Sequence, residues 1–369
     1  MLERARDCIV AAACLLAWGW SLPAQALERT VVDGDDVYQL RLAETWPPNF
    51  PIFGDAVENM VAMAGEMSGG RLQIEIHARD VHQRPLGIFD MVQSGEYDMG
   101  HSASYYWKDK DPTTMFFTTV PFGMTAPEQY AWFYYGGGME LMERVYSRHN
   151  MLSFPGGNTG NQMGGWFRKD IAGLEDLEGL RMRIPGFAGE VLAQLGVEPI
   201  NIPPGDLYDA LRSNEIDALE WVGPSHDLRM GFQEVAPYYY TGWHEPATEL
   251  QFLINLQVWE ALPPDLQEIL RVAMRTAAYD MYAQSYHENA VYWESIMNDY
   301  PNIIVRTLPQ TVIVEMQKAN QRLLEEMQRQ NPVAREIIQS QKAYLDRVRA
   351  WTDISDRAYL NSAGQLIRY

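Results

Sequence analysis

The octapeptide DALEWVGP at 217–224 sets a carboxylate, Glu220, among residues that read as a buried strand: Ile216, Ala218, Leu219, Trp221 and Val222. A carboxylate in such a place needs a counter-charge or a cation. Two other stretches hold groups that could answer it. In RMRIPG, 181–186, the two arginines alternate and share one face of a strand. That strand runs out into Pro185-Gly186, so Arg183 at its end can reach a crevice. A guanidinium presents two parallel donors that match a carboxylate, although a surface ion pair is the commoner fate of arginine. In GGNTGNQMGGWFRK, 156–169, dense glycines let the backbone approach a ligand closely, or simply mark a loop. Asn158, Thr159, Asn161 and Gln162 add neutral donors and acceptors there. No Lys-Ser/Thr follows as a phosphate loop requires. Gln162 and Gln251 could lend amide oxygens to a cation beside Glu220, with the Trp221 carbonyl as a further ligand. A carboxylate, amide and carbonyl shell suits Na⁺ or Ca²⁺ better than a transition metal. Glu220 therefore pairs with Arg183 or anchors a hard cation.

These residues need elements to hold them. Residues 38–45 alternate as a strand, 53–67 have helical spacing, 71–77 alternate again, 85–94 suggest a helix and 97–101 a short strand. Strand-helix-strand order predicts an α/β sheet with parallel strands. The pattern returns over 164–168, 181–184, 187–195, 199–202, 206–212 and 218–222, a second α/β unit. An internal echo links the two. FDMVQSGEYDMGH at 89–101 aligns with LYDALRSNEIDALE at 207–220, Asp98 meeting Asp217 and Gly95 meeting Asn214. Either two common helix-turn-strand units coincide, or two similar lobes face one crevice. From 262 onward the chain turns helical, with long patterns over 265–295 and 308–349 interrupted at Asn331-Pro332. Such helices brace two lobes, pack on their own lobe, or form a dimer interface through Val312, Met316, Leu323, Leu324 and Met327. The predicted divisions are 27–154 with 246–290 for the first lobe, 155–245 with parts of 291–310 for the second, and 311–369 for the C-terminal helices.

The chain has 369 residues, 47% hydrophobic and 21% charged, with net charge −20. That balance argues against nucleic acid or an anionic membrane as the main partner. Residues 1–26 read as a secretory signal: Arg4 and Arg6, an apolar run over 9–20, and Pro23-Ala24-Gln25-Ala26 for cleavage after Ala26. Cys8 and Cys14, the two cysteines, lie inside it. The mature chain then has no disulfide, thiolate site or cysteine nucleophile. Motifs for serine hydrolases, nucleotide loops and zinc proteases are missing, and the seven histidines are scattered.

GNTGNQMGGWFRKDI, LEGLRMRIPGFAGEVLAQLGVEP, IDALEWVGP and APYYYTGWHEP together resemble the DctP-type solute receptors of TRAP (tripartite ATP-independent periplasmic) transporters. The branch that takes 2-oxo acids and lactate is the most similar, over 38–351. The resemblance implies a two-lobed, type II-like periplasmic binding protein with a long bracing helix and extended C-terminal helices. It would close on a small organic monocarboxylate and pass it to membrane permease subunits, without catalysis. Arg183 would take the substrate carboxylate. Glu220, Trp221, Gln162 and Gln251 would hold Na⁺ or Ca²⁺, bridging to the substrate's 2-oxo or 2-hydroxy oxygen. Asn158, Gln162, Trp221 and Tyr105 would line the substrate. An exchanged C-terminal helix would give a homodimer. Where this branch has Gly-Trp-Trp-Glu, the chain has Gly242-Trp243-His244-Glu245, which bears on the substrate's side chain. Two rivals remain: a secreted metal-dependent keto-acid enzyme, with His244 and Tyr105 as the nearby acid–base groups, and a sensor receptor without transport.

Overall fold

The computed structural model describes residues 27–32 and 35–363. The expected signal segment, 1–26, lies outside them. Twelve strands occur among the described residues: β1 (Glu28–Val32), β2 (Asp35–Glu44), β3 (Leu72–His77), β4 (Met99–Ser102), β5 (Met151–Asn158), β6 (Gly165–Phe167), β7 (Arg181–Arg183), β8 (Glu198–Ile200), β9 (Ala218–Leu219), β10 (Tyr238–Tyr240), β11 (Glu249–Asn255) and β12 (Ile304–Arg306). They form two sheets. The first runs β1-β2-β4-β11-β5 with β3 also on β2, and the second β12-β10-β6-β9-β7-β8. β2 is parallel to β3 and β4, and β7 to β8 and β9, as the strand-helix-strand reading required. The fold is a two-lobed α/β architecture.

The helix Phe53–Met67 falls on its predicted limits. Val57, Met60 and Ala64 recur at helical spacing, and all three are buried against Leu40 and Leu42 of β2. Burying Val57 and Met60 stabilises the first lobe by about 1.5–3 kcal/mol each.

The sequence echo is a shared structural device. Both helices end in a left-handed turn, Gly95 at φ 78° and Asn214 at φ 66°. Asp98 then accepts the backbone N–H of Arg41 at 2.7 Å, and its own N–H donates to the Arg41 carbonyl at 3.1 Å. Asp217 does the same to Arg181, at 3.2 and 2.7 Å. In both lobes an aspartate thus fixes the register of a short strand against its parallel neighbour. The alignment sets His101 of the first lobe opposite Glu220 of the second. His101 is satisfied within its lobe, accepting from Trp46 Nε1 at 2.8 Å and lying 3.0 Å from the Gly156 carbonyl.

β5 and β11, paired antiparallel, carry the chain between the sheets. The predicted long helix spans Pro264–Asp299 and touches both lobes. Its Ala278 carbonyl accepts from Tyr130 Oη at 2.8 Å, and its Asn289 Oδ1 accepts from Ser225 N at 3.0 Å. Close packing on β5 requires Gly157, at φ 141°, where a Cβ would sit 1.9 Å from Met281 Sδ. Two further helices, Gln310–Gln330 and Pro332–Ile354, meet at Asn331, whose Oδ1 caps the second by accepting from Val333 N and Ala334 N. Both pack on their own chain. Asn320 donates to the Pro121 carbonyl, Gln341 to the Phe116 carbonyl, and Arg349 pairs with Glu128 at 2.8 Å. Val312 and Met316 are buried in this packing. Among the described residues no helix is long and apolar enough to cross a membrane.

Candidate ligand and cation site

β9 was expected to extend to Val222 but stops at Leu219. Glu220 N still donates to the Arg183 carbonyl at 3.0 Å. Its carbonyl, however, accepts Arg183 Nη1 at 2.5 Å, and its Oε2 accepts the same nitrogen at 3.1 Å. The arginine at the end of β7 therefore turns the next strand out of the sheet. Asp227, at the start of the helix Pro224–Met230, fixes the turn that follows by accepting Val222 N at 3.2 Å, Trp166 Nε1 at 3.0 Å and Tyr239 Oη at 2.8 Å.

Arg183 is fully buried and Glu220 is 1% exposed. Arg183 Cζ lies 5.2 Å from the centre of the Trp221 ring. Trp221 reaches across the lobes, its ring 6.2 Å from those of Phe50 and Phe53. Gln162 approaches from the glycine-rich loop. Its N–H donates to the Glu245 carbonyl at 2.9 Å and its Nε2 to Thr159 Oγ1 at 3.1 Å. The loop lies so close to Gly242 that a Cβ there would be 1.8 Å from the Gln162 carbonyl oxygen. Tyr105 comes from the first lobe and seats its Cβ against Gly186, at φ 64°, with 2.8 Å to that glycine's hypothetical Cβ. The rings of Tyr105 and Tyr106 meet edge-to-face at 4.8 Å.

The unusual feature here is a concentration of buried polar atoms without partners: Arg183 Nε and Nη2, Trp221 Nε1, Tyr106 Oη, Gln162 Oε1, Glu220 Oε1 and both ring nitrogens of His244. Buried polar groups elsewhere in proteins are almost all hydrogen-bonded, because an orphan costs about 1–3 kcal/mol. So many together, donors beside acceptors, fit an anionic ligand and a cation held side by side.

Charge makes the same point. Burial pushes the Glu220 carboxyl up to about 8, against the pull of Arg183. Burial pushes Glu245 up to about 7, with Glu220 adding to the rise. Burial also lowers His244 to about 4, leaving the imidazole neutral. Near neutral pH these carboxyls hold protons by themselves; with both ionised beside one guanidinium and a ligand carboxylate, the site would be two charges negative. A sodium ion halves that excess and a calcium ion removes it. The donor set fits such an ion: Gln162 Oε1 and Glu220 Oε1 are hard, buried oxygens that accept no hydrogen bond from the protein.

Two predicted residues are committed elsewhere. Gln251 Oε1 already accepts Tyr146 Oη at 2.6 Å and Ser153 Oγ at 3.1 Å, while its Nε2 donates to Ser104 Oγ at 3.2 Å. Its amide oxygen carries two donors within the first lobe, so it makes a poor cation ligand. Asn158 donates to Gln129 Oε1 at 2.8 Å and Glu249 Oε2 at 2.9 Å, and accepts Gly160 N at 2.9 Å. It holds the glycine-rich loop. The arginines of β7 also part company: Arg181 is half-exposed on Asp217 at 2.8 Å, and only Arg183 enters the site. Glu245, a site residue that sequence reasoning passed over, follows His244, and its Oε2 accepts Thr248 Oγ1 at 2.5 Å. The one clue to it was its place in the stretch Gly242-Trp243-His244-Glu245, where the glutamate keeps the family pattern and His244 departs from it.

The model of the DctP family, bacterial extracellular solute-binding protein family 7, matches residues 42–331. The chain belongs to this family. A family 7 relative from Nostoc, described as a monocarboxylate 2-oxoacid-binding periplasmic protein, is 36% identical over 324 residues, covering 88% of each chain. Two solved structures of TRAP periplasmic solute-binding proteins superpose with TM-scores of 0.88. One, from Pseudoalteromonas atlantica, holds sodium and pyruvate and is 64% identical over 89% of this chain and 99% of its own. The other, from Colwellia psychrerythraea, holds calcium and pyruvate and is 62% identical over 89% of this chain and 100% of its own. These DctP-family neighbours share the two-lobed fold.

Proposed function

We propose that this family 7 receptor binds a small 2-oxo monocarboxylate of the pyruvate class together with Na⁺ or Ca²⁺, and delivers it to TRAP permease subunits. The carrying observation is the set of buried, unpartnered donors and acceptors around Arg183 and Glu220. The bound ions and pyruvate of the two similar receptors support it. Arg183 donates Nε and Nη2 to the ligand carboxylate. Gln162 and Glu220 supply oxygens to the cation, with the Trp221 carbonyl as a further candidate. The cation offsets carboxylate charge and would orient the ligand's second oxygen. Trp221, Phe50 and Phe53 wall the apolar end of the site, which favours a short side chain. Trp221 Nε1 and Tyr106 Oη donate toward the ligand, and Tyr105 buttresses the opposite wall.

We read it as a receptor that binds its ligand without turning it over, in keeping with its family of solute-binding proteins. We place it in the periplasm, with cleavage after Ala26 and a division into lobes at 154/155 and 245/246. Exposed Trp351, Ile354, Tyr359 and Leu360 at the C-terminal end are the surface that a second copy would cover in a homodimer; sedimentation at micromolar concentration tests this. The ligand test is calorimetry on dialysed protein with pyruvate, longer 2-oxo acids, lactate and succinate, each with and without Na⁺ or Ca²⁺. Cation-dependent binding of pyruvate supports the reading. Binding of succinate alone refutes it.

A further inference from the structure

His244 and Glu245 are polar residues of this site to which the preceding reading gives no part, and His244 is the more unusual. It is fully buried, yet neither ring nitrogen has a hydrogen-bond partner. The Trp243 ring centre lies 5.1 Å from that of the imidazole. His244 Nε2 lies 3.5 Å from Glu220 Oε1, which is also unpartnered. That separation is long for a hydrogen bond. It is close to the spacing of two neighbouring ligand atoms on a single first-row metal ion, about 3–3.4 Å for bonds of about 2.1 Å. Among the described residues, Glu220, His244 and Glu245 form the only trio of histidine, cysteine or acidic side chains with ligand atoms all within 4.8 Å of one another. Gln162 Oε1, buried and free, belongs to the same site.

Sodium and calcium take oxygen, whereas imidazole suits zinc, cobalt, nickel and iron. We propose that His244 gives the site a nitrogen ligand, so that the receptor also takes a 2-oxo acid as its complex with a first-row divalent ion and prefers that ion to Ca²⁺. The inference rests on the site reading above. A 2-oxo acid can chelate such an ion through one carboxylate oxygen and the keto oxygen, leaving the other carboxylate oxygen for Arg183. Glu220, Glu245 and His244 then offer two anionic oxygens and one neutral nitrogen, and with the ligand carboxylate and Arg183 a divalent ion brings the site to zero net charge.

Co²⁺ is the probe, because its visible absorption reports its ligands directly. Dialysed protein is titrated with Co²⁺ or Ca²⁺, with and without pyruvate, by calorimetry and absorption. Cobalt bands should appear on binding and shift when pyruvate is added, and Co²⁺ should bind about tenfold more tightly than Ca²⁺. His244→Gln should lower the ratio of Co²⁺ to Ca²⁺ affinity by about tenfold or more. His244→Asp, which exchanges nitrogen for oxygen, should move the preference toward Ca²⁺. Circular dichroism checks that each variant is folded. Pyruvate binding with Ca²⁺ or Na⁺ but no Co²⁺ binding overturns this inference alone. So does an affinity ratio unchanged in His244→Gln. Failure of pyruvate to bind with any ion overturns both readings.

Discussion

Replacing Arg183 by methionine tests the site most directly, since the side chain has two separable duties. Within the protein, Nη1 holds the Glu220 carbonyl and carboxylate at 2.5 and 3.1 Å in a fully buried setting. Removing one member of a buried ion pair typically costs about 3–5 kcal/mol, because the other charge is left uncompensated. Toward the ligand, Nε and Nη2 are two donors without partners. Hydrogen bonds to charged groups are worth about 1.5–3 kcal/mol each, so losing both should cost about 3–6 kcal/mol of binding, or about 10²–10⁴ in Kd. The two effects separate in a double-mutant cycle. Arg183→Met alone should lower the free energy of unfolding in urea by several kcal/mol. Adding Glu220→Gln removes the stranded charge and should restore most of that stability, but should not restore pyruvate binding measured by calorimetry. Near-native pyruvate affinity in either variant would refute the assignment of Arg183 as the carboxylate ligand. Full stability of the single variant would refute the ion-pair argument.

Further outcomes follow from other features. Burial, with Glu58 and Asp80 nearby, raises Glu44 to about 8, so the folded protein holds a proton there that the unfolded chain releases above its ordinary value of 4.5. This contribution is fully present below that value and is lost as pH rises through about 8. Glu44→Gln should therefore gain stability over the parent between pH 5 and pH 9, by about 4 kcal/mol across that range, in paired urea titrations. Gly157→Ala should destabilise by about 2–4 kcal/mol, since it combines a left-handed φ with collision against Met281 on the bracing helix. Gly242→Ala should destabilise by at least about 2–4 kcal/mol, because its Cβ meets the Gln162 backbone carbonyl, and should weaken cation-dependent pyruvate binding by about tenfold or more in the protein that remains folded. The rim pair Arg79–Asp206, 3.4 Å apart and partly solvated, should matter little: Arg79→Ala should change pyruvate Kd by less than about fivefold.

Periodicity by itself determined the two α/β units, the long helix and the C-terminal pair, because apolar residues at spacings of two and 3.6 must bury one face whatever else the chain does. The matching aspartates and their left-handed turns were likewise legible, since a helix-turn-strand unit is local. Glu220 announced itself as a carboxylate in an apolar run, and Arg183 as a strand-end guanidinium. Their pairing lies one register step across two parallel strands, so strand order was enough to bring them together. Gln251 and Asn158 carried the right chemistry in sequence. Ser153 on β5 and Tyr146 on the Gly138–Tyr146 helix had already engaged Gln251, and Gln129 on the Ala126–Tyr135 helix and Glu249 on β11 had engaged Asn158. His244 and Glu245 joined Glu220 by a fold in space some twenty-five residues wide, which no local pattern encodes. What only the tertiary structure decided was which polar atoms remained unsatisfied. Hydrogen bonding is a competition among all buried groups at once, and its outcome is set by the final packing.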